Sequence, residues 1–85
     1  MPYIKQAERR QYDKALDELS SGIFTSGQLT YVLYKLCLNY VNRNAVCYLN
    51  YAAIMGALTC VIQEFYRKEV AEYEDEKELE NGRVL

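Results

Sequence analysis

Apolar positions recur at the helical period along most of this chain. Tyr12, Leu16, Leu19 and Ile23 fall at i, i+4, i+7 and i+11, one face of a helix, while Glu8, Arg9, Arg10, Asp13, Lys14, Asp17 and Glu18 occupy its other faces. The pattern predicts a first helix from about Gln6 to Ser20, with Gly22 placed to end it. Thr25 followed three residues later by Gln28 is a capping-box pair, and Phe24 and Leu29 stand at the positions of a hydrophobic staple. A second helix therefore begins at Ser26. One of its faces reads Leu29, Val32, Leu33, Leu36, Cys37 and Tyr40, and the opposite side carries Tyr31, Tyr34, Leu38 and Val41. A helix apolar nearly all round is built to lie between neighbours.

Asn42, Arg43 and Asn44 make the next turn, where asparagines tolerate the left-handed conformation that helix ends need. A third helix is predicted from about Val46 past Lys68, with Ile54, Leu58, Val61, Ile62 and Phe65 as its core face. From Asn44 to Gln63 there is no charged residue, and Ala52, Gly56 and Cys60 lay a stripe of small side chains along this helix that would admit a close neighbour. Gly56 costs about 1 kcal/mol against alanine in a helix interior, so something close is expected to offset it. From Glu69 to Glu80 seven carboxylates stand against Lys77 alone, a segment that either continues as a solvated helix or frays. The fold class is all-α: a three-helix, bundle-like single domain over residues 1–85 with a long third helix.

Eighty-five residues alter this picture in one respect. A chain this short buries only about 60 to 65% of the surface its unfolded form exposes, and two other helices cannot cover all the apolar surface of the second and third. Self-association into a homo-oligomer is the expected remedy, through Ala52, Gly56 and Cys60 on the third helix and Tyr31, Tyr34 and Leu38 on the second. Cys37, Cys47 and Cys60 are odd in number and sit in apolar runs, so they read as small hydrophobes in a reducing, cytoplasmic setting. No charged-then-apolar leader opens the chain, which is expected to carry no export signal. The uncharged run is long enough for a membrane span. Asn50, Thr59, Gln63, Tyr48 and Tyr51 within it argue against one, so no membrane partner is expected. A net charge of −2 offers no basic surface for generic nucleic-acid binding.

Catalysis is limited by what is missing. With no His, catalytic triads, Cys–His pairs and His-containing zinc sites are excluded, and no cofactor is called for. Pro2, exposed by removal of Met1, would be the base of a small tautomerase, but that chemistry needs a β-α-β shelter that this pattern lacks. Glu69, Glu72, Asp75 and Glu78 recur at i+3, as in Mg²⁺-dependent all-α nucleoside triphosphate pyrophosphohydrolases, yet a partner acidic pair is missing from the other helices. The chain is expected not to be an enzyme.

Nine tyrosines and the arginines beside them suit binding instead. Aromatic faces stack on bases, and guanidinium forks hold phosphates. Tyr66, Arg67 and Tyr73, with Asn50 as a directional hydrogen-bonding group and Lys5 or Arg9 closing the site, form a candidate pocket for a small anionic, nucleotide-like ligand at a subunit boundary. The same residue types are enriched at protein interfaces, which keeps a protein-binding role open. Glu64 stands in line with Ala52, Gly56 and Cys60, with Arg67 or Lys68 of a neighbouring copy as its expected counter-ion.

The opening Met1-Pro2-Tyr3-Ile4-Lys5-Gln6, the Leu29-Thr30-Tyr31-Val32 start of the second helix, and the closing Glu64-Phe65-Tyr66-Arg67, Tyr73-Glu74-Asp75-Glu76-Lys77 and Glu80-Asn81-Gly82 resemble an uncharacterised family of short bacteriophage and bacterial proteins. Members of that family tend to have proline where Glu72 stands and aspartate where Arg83 stands, so a helix break before Tyr73 is in question here. The resemblance implies a phage or prophage setting. Small helical oligomers of that setting inhibit a host protein or sequester a nucleotide signal of host defence.

Overall fold

The capping box forms as the sequence requires. In the computed structural model, which describes residues 3–84, the Gln28 N–H donates to Thr25 Oγ1 at 3.1 Å, and Gln28 Oε1 accepts from the N–H groups of Thr25 and Phe24 at 3.1 and 2.7 Å. Three donors that the helix itself cannot satisfy are thereby paired, which fixes the start of the second helix at Ser26.

The fold is all-α, and no strand occurs among the described residues. Helix α1 covers Gln6–Ser20 and α2 covers Ser26–Asn44. The third helix is long and continuous: α3, Tyr48–Phe65, passes into a π-helical turn, Tyr66–Val70, and then into α4, Ala71–Asn81. Pro2 lies outside the described residues.

Two helix ends are made differently from the expectation. No residue between α1 and α2 takes a left-handed conformation. The N–H groups of Ser21, Gly22 and Ile23 instead donate to the carbonyls of Asp17, Leu19 and Ser20, and Ser21 Oγ donates to Glu18 O at 2.7 Å. Nor are the asparagines left-handed at the end of α2. Their side chains do the work: Asn44 Nδ2 donates to Tyr40 O at 2.8 Å, and Asn50 Nδ2 reaches back to Ala45 O at 3.0 Å. Short amides that satisfy the last carbonyls remove the need for a strained backbone. Among the described residues only Gly82, at φ 88°, has a positive φ, and there its N–H closes α4 on Glu78 O.

The acidic segment continues as helix rather than fraying. α4 runs through Glu72 without a break, where the resembling family favours proline.

The chain divides into two compact units, Met1–Leu38 and Asn39–Leu85. In the first, no described residue is buried, and the predicted core face is only half covered, with Tyr12, Leu16 and Leu19 each 43–50% exposed. In the second, Val41 is the one buried side chain among the described residues. Asn50, Ile54 and Leu58, four residues apart, form a half-buried ridge on α3, whereas Val61, Ile62 and Phe65, expected as core, are exposed. No helix among the described residues is long and apolar enough to cross a membrane.

Candidate functional site

The π-helical turn decides the geometry around the candidate ligand residues. Its backbone widens because the Ala71 N–H donates to Tyr66 O, five residues back, and not to the carbonyl four back. In an uninterrupted α-helix Tyr66 and Tyr73, seven apart, would share a face, while Glu74 would sit about 80° away. One wide turn followed by one α turn amounts to about eight residues. Glu74 therefore takes the place above Tyr66, and the Tyr66 hydroxyl donates to Glu74 Oε1 at 2.6 Å. Tyr73 instead carries the ammonium of Lys77 at 5.6 Å from its ring centre, and Lys77 is also paired with Glu80 at 3.0 Å.

Arg67, expected to pair with a ligand phosphate, is paired within its own chain. Its Nη2 donates to Glu64 Oε2 at 2.7 Å, one turn earlier on the same helix. The counter-ion expected from a neighbouring copy is thus supplied by the chain's own Arg67.

These pairs shift two protonation equilibria. The hydrogen bond from Arg67, helped by the charges of Arg67 and Lys68, holds the Glu64 carboxyl below its ordinary value. For Tyr66 the hydrogen bond to Glu74 acts the other way, since ionising the phenol would set two negative oxygens together, and its pKa is raised.

Asn50 occupies a different place. It caps the turn at Ala45, sixteen residues before Tyr66 on the same continuous helix, or about 24 Å along the axis. Within one chain Asn50 and Tyr66 do not line one pocket. Lys5 and Arg9 belong to the other compact unit. Lys5 lines a shallow hollow with Tyr3, Ile4 and Glu8, and Arg9 lines another with Gln6, Ala7, Arg10 and Asp13. Both hollows are open to solvent.

The interface candidates are all on the surface or close to it. Ala52, Gly56 and Cys60 are exposed on α3; Tyr31 and Tyr34 are about two-thirds exposed on α2, and Leu38 is 43% exposed. A Cβ added at Gly56 meets nothing within 4 Å, so no neighbour within the chain offsets the cost of that glycine. The carboxylates at Glu69, Glu72, Asp75 and Glu78 are exposed, and no group of three His, Cys, Asp or Glu side chains among the described residues is placed to hold a metal ion.

Glu74, the partner of Tyr66, is absent from the sequence-based site because its role depends on the wide turn, which leaves no mark in residue spacing. The structure therefore describes a small helical protein whose Tyr66, Arg67 and Tyr73 are tied to neighbouring acidic and basic groups, and whose apolar faces remain open. Over residues 1–84 the chain matches the family described as Domain of unknown function (DUF6899), and it belongs to that family. No curated protein and no solved structure matches it.

Proposed function

We propose that this protein is a non-catalytic binding module that works as a homo-oligomer and presents its tyrosine-rich helical faces to a protein partner. The observation that carries the reading is the burial pattern: among the described residues only Val41 is buried, while Tyr48, Leu49, Met55, Ile62 and Phe65 stand more than 60% exposed along one helix. Apolar surface of this extent marks an interaction site. With 38 and 47 residues in its two compact units, neither has the size at which a core alone usually suffices, and the three cysteines are free. Association supplies the missing burial.

Protein binding fits better than capture of a nucleotide-like anion. Tyr66 and Tyr73 are turned apart by the π-helical turn, Arg67 is occupied by Glu64, and Glu74 brings negative charge to the same face as Tyr66. A phosphate would have to displace one carboxylate and approach another. In the phage or prophage setting that the resemblance implies, the partner is a host protein, bound and inhibited in the cytoplasm.

Native mass spectrometry of the freshly purified protein tests both parts. The expected result is a discrete oligomer of unmodified chains with no retained small molecule. A monomer carrying a nucleotide mass would replace this reading with ligand sequestration.

A further inference from the structure

The exposed side of α3 carries a sharper pattern than the small-residue stripe at its edge. Tyr48, Ala52, Met55, Thr59, Ile62 and Tyr66 are spaced 4, 3, 4, 3, 4, the alternation of a heptad seam, and all six are exposed. The midline of these six lies about 120° round the helix from the half-buried ridge of Asn50, Ile54 and Leu58. A strict 3.5-residue repeat keeps one line of side chains against a neighbouring helix through a left-handed supercoil. The seam ends at the π-helical turn, where the extra residue rotates everything that follows by about 100°.

We infer that this seam pairs antiparallel with the same seam of a second copy, an inference that rests on the homo-oligomer reading above. Three observations select this occupant and this direction. The first is side-chain size. Antiparallel pairing about the level of Ala57 sets Tyr48 beside Tyr66 of the partner subunit, Ala52 beside Ile62 of the partner subunit and Met55 beside Thr59 of the partner subunit. Small then meets large along the inner positions, as knobs in holes require. The second is charge. Parallel pairing would lay two copies of Glu69–Glu80 side by side, seven carboxylates from each with only Lys77 in compensation. Antiparallel pairing carries those segments to opposite ends.

The third is area. Tyr48 and Tyr66 in the seam and Tyr51 beside it are 87, 52 and 52% exposed, and Met55 and Ile62 are 65 and 69% exposed. At roughly 150–250 Å² for an aromatic side chain and roughly 100 Å² for a large aliphatic one, they leave about 420 to 610 Å² open on each chain. A pair would cover about 840 to 1,220 Å², around the 1,000 Å² or so that a specific interface has to clear, before Ala52, Gly56 and Thr59 are counted.

Disulfide trapping tests the direction in the full chain. Tyr48→Cys and Tyr66→Cys are made separately in a background with Cys37, Cys47 and Cys60 replaced by serine, mixed, and oxidised with copper phenanthroline. The expected product is a mixed disulfide between the two variants. Neither variant alone should cross-link, because two copies of residue 48 would lie about 27 Å apart along the axis. Cross-linking of Tyr48→Cys with itself would show parallel pairing and overturn the inference while leaving the oligomer intact. Wild-type protein, half of it isotope-labelled, supplies a second measurement free of substitutions: nuclear Overhauser contacts between chains should join Met55 to Thr59 and Ala52 to Ile62. An oligomer lacking both contacts refutes the seam. A monomer refutes the homo-oligomer reading itself.

Discussion

α3 and α4 are two stretches of one continuous helix with opposite means of support. α3 has no charge before Glu64 and leaves apolar side chains open; α4 carries Glu72, Glu74, Asp75, Glu76, Glu78 and Glu80 with an exposed ion pair between Lys77 and Glu80. Exposed ion pairs of this kind contribute a few tenths of a kcal/mol each. Short helices in water are marginal without tertiary packing. Charge keeps α4 solvated, although its like-charged neighbours four residues apart oppose the helix, whereas α3 awaits a surface to cover it. The π-helical turn separates the two regimes, and Tyr66 bonded to Glu74 spans it.

The contrast breaks most severely if a charge is placed on the open side of α3. Ile62→Glu would set a carboxylate in a seam closed by a second copy, where an unpaired charge costs several kcal/mol. Association should weaken by roughly 100-fold or more, about 3 kcal/mol. Light scattering coupled to size exclusion reads this directly, and Glu78→Gln on α4 should leave the assembly unchanged.

A smaller effect is expected at the start of α2. Thr25→Ala removes the acceptor of the Gln28 N–H and should cost about 1 kcal/mol, seen as a lower midpoint in urea unfolding. Gly56→Ala has the opposite sign. With open space around the added Cβ, helix propensity should raise stability by up to about 1 kcal/mol. If the oligomer instead weakens, the partner's backbone approaches at Gly56 and the small-residue stripe shares in the contact.

The smallest effects are on pH dependence. Glu64 has a lowered pKa, so its contribution to stability is present above the ordinary carboxylate value of 4.5 and is lost as pH falls through the lower, folded value. Tyr66 has a raised pKa, so its contribution is present below 10 and is lost as pH rises through the higher, folded value. Both groups are at the surface and screened by solvent, which keeps these effects small. Nuclear magnetic resonance titration of the two side chains should show both shifts, and Arg67→Ala should move Glu64 upward, since the hydrogen bond from Arg67 is the largest cause of its lowering.

Much of the fold was legible in the residues. The bounds of α1 and the start of α2 follow from apolar spacing and from the Thr25–Gln28 box, because both signals are local. The end of α3 was not legible: a π-helical turn arises from a backbone register that no residue in Tyr66–Val70 announces. That single turn is why Tyr66 meets Glu74 and not Tyr73, and so why the candidate pocket does not converge within one chain. The core face was misplaced for a related reason. Periodicity marks Ile54, Leu58, Val61, Ile62 and Phe65 as one apolar set, but in a helix apolar on several sides it cannot say which ridge the chain itself covers.

Sedimentation equilibrium over a range from nanomolar to high micromolar protein, with helicity followed by circular dichroism on the same samples, tests the central claim most directly. A defined oligomer at micromolar concentration, whose helical content falls as it dissociates on dilution, is the expected result. A monomer that keeps its full helical content and unfolds cooperatively across the whole range would contradict it.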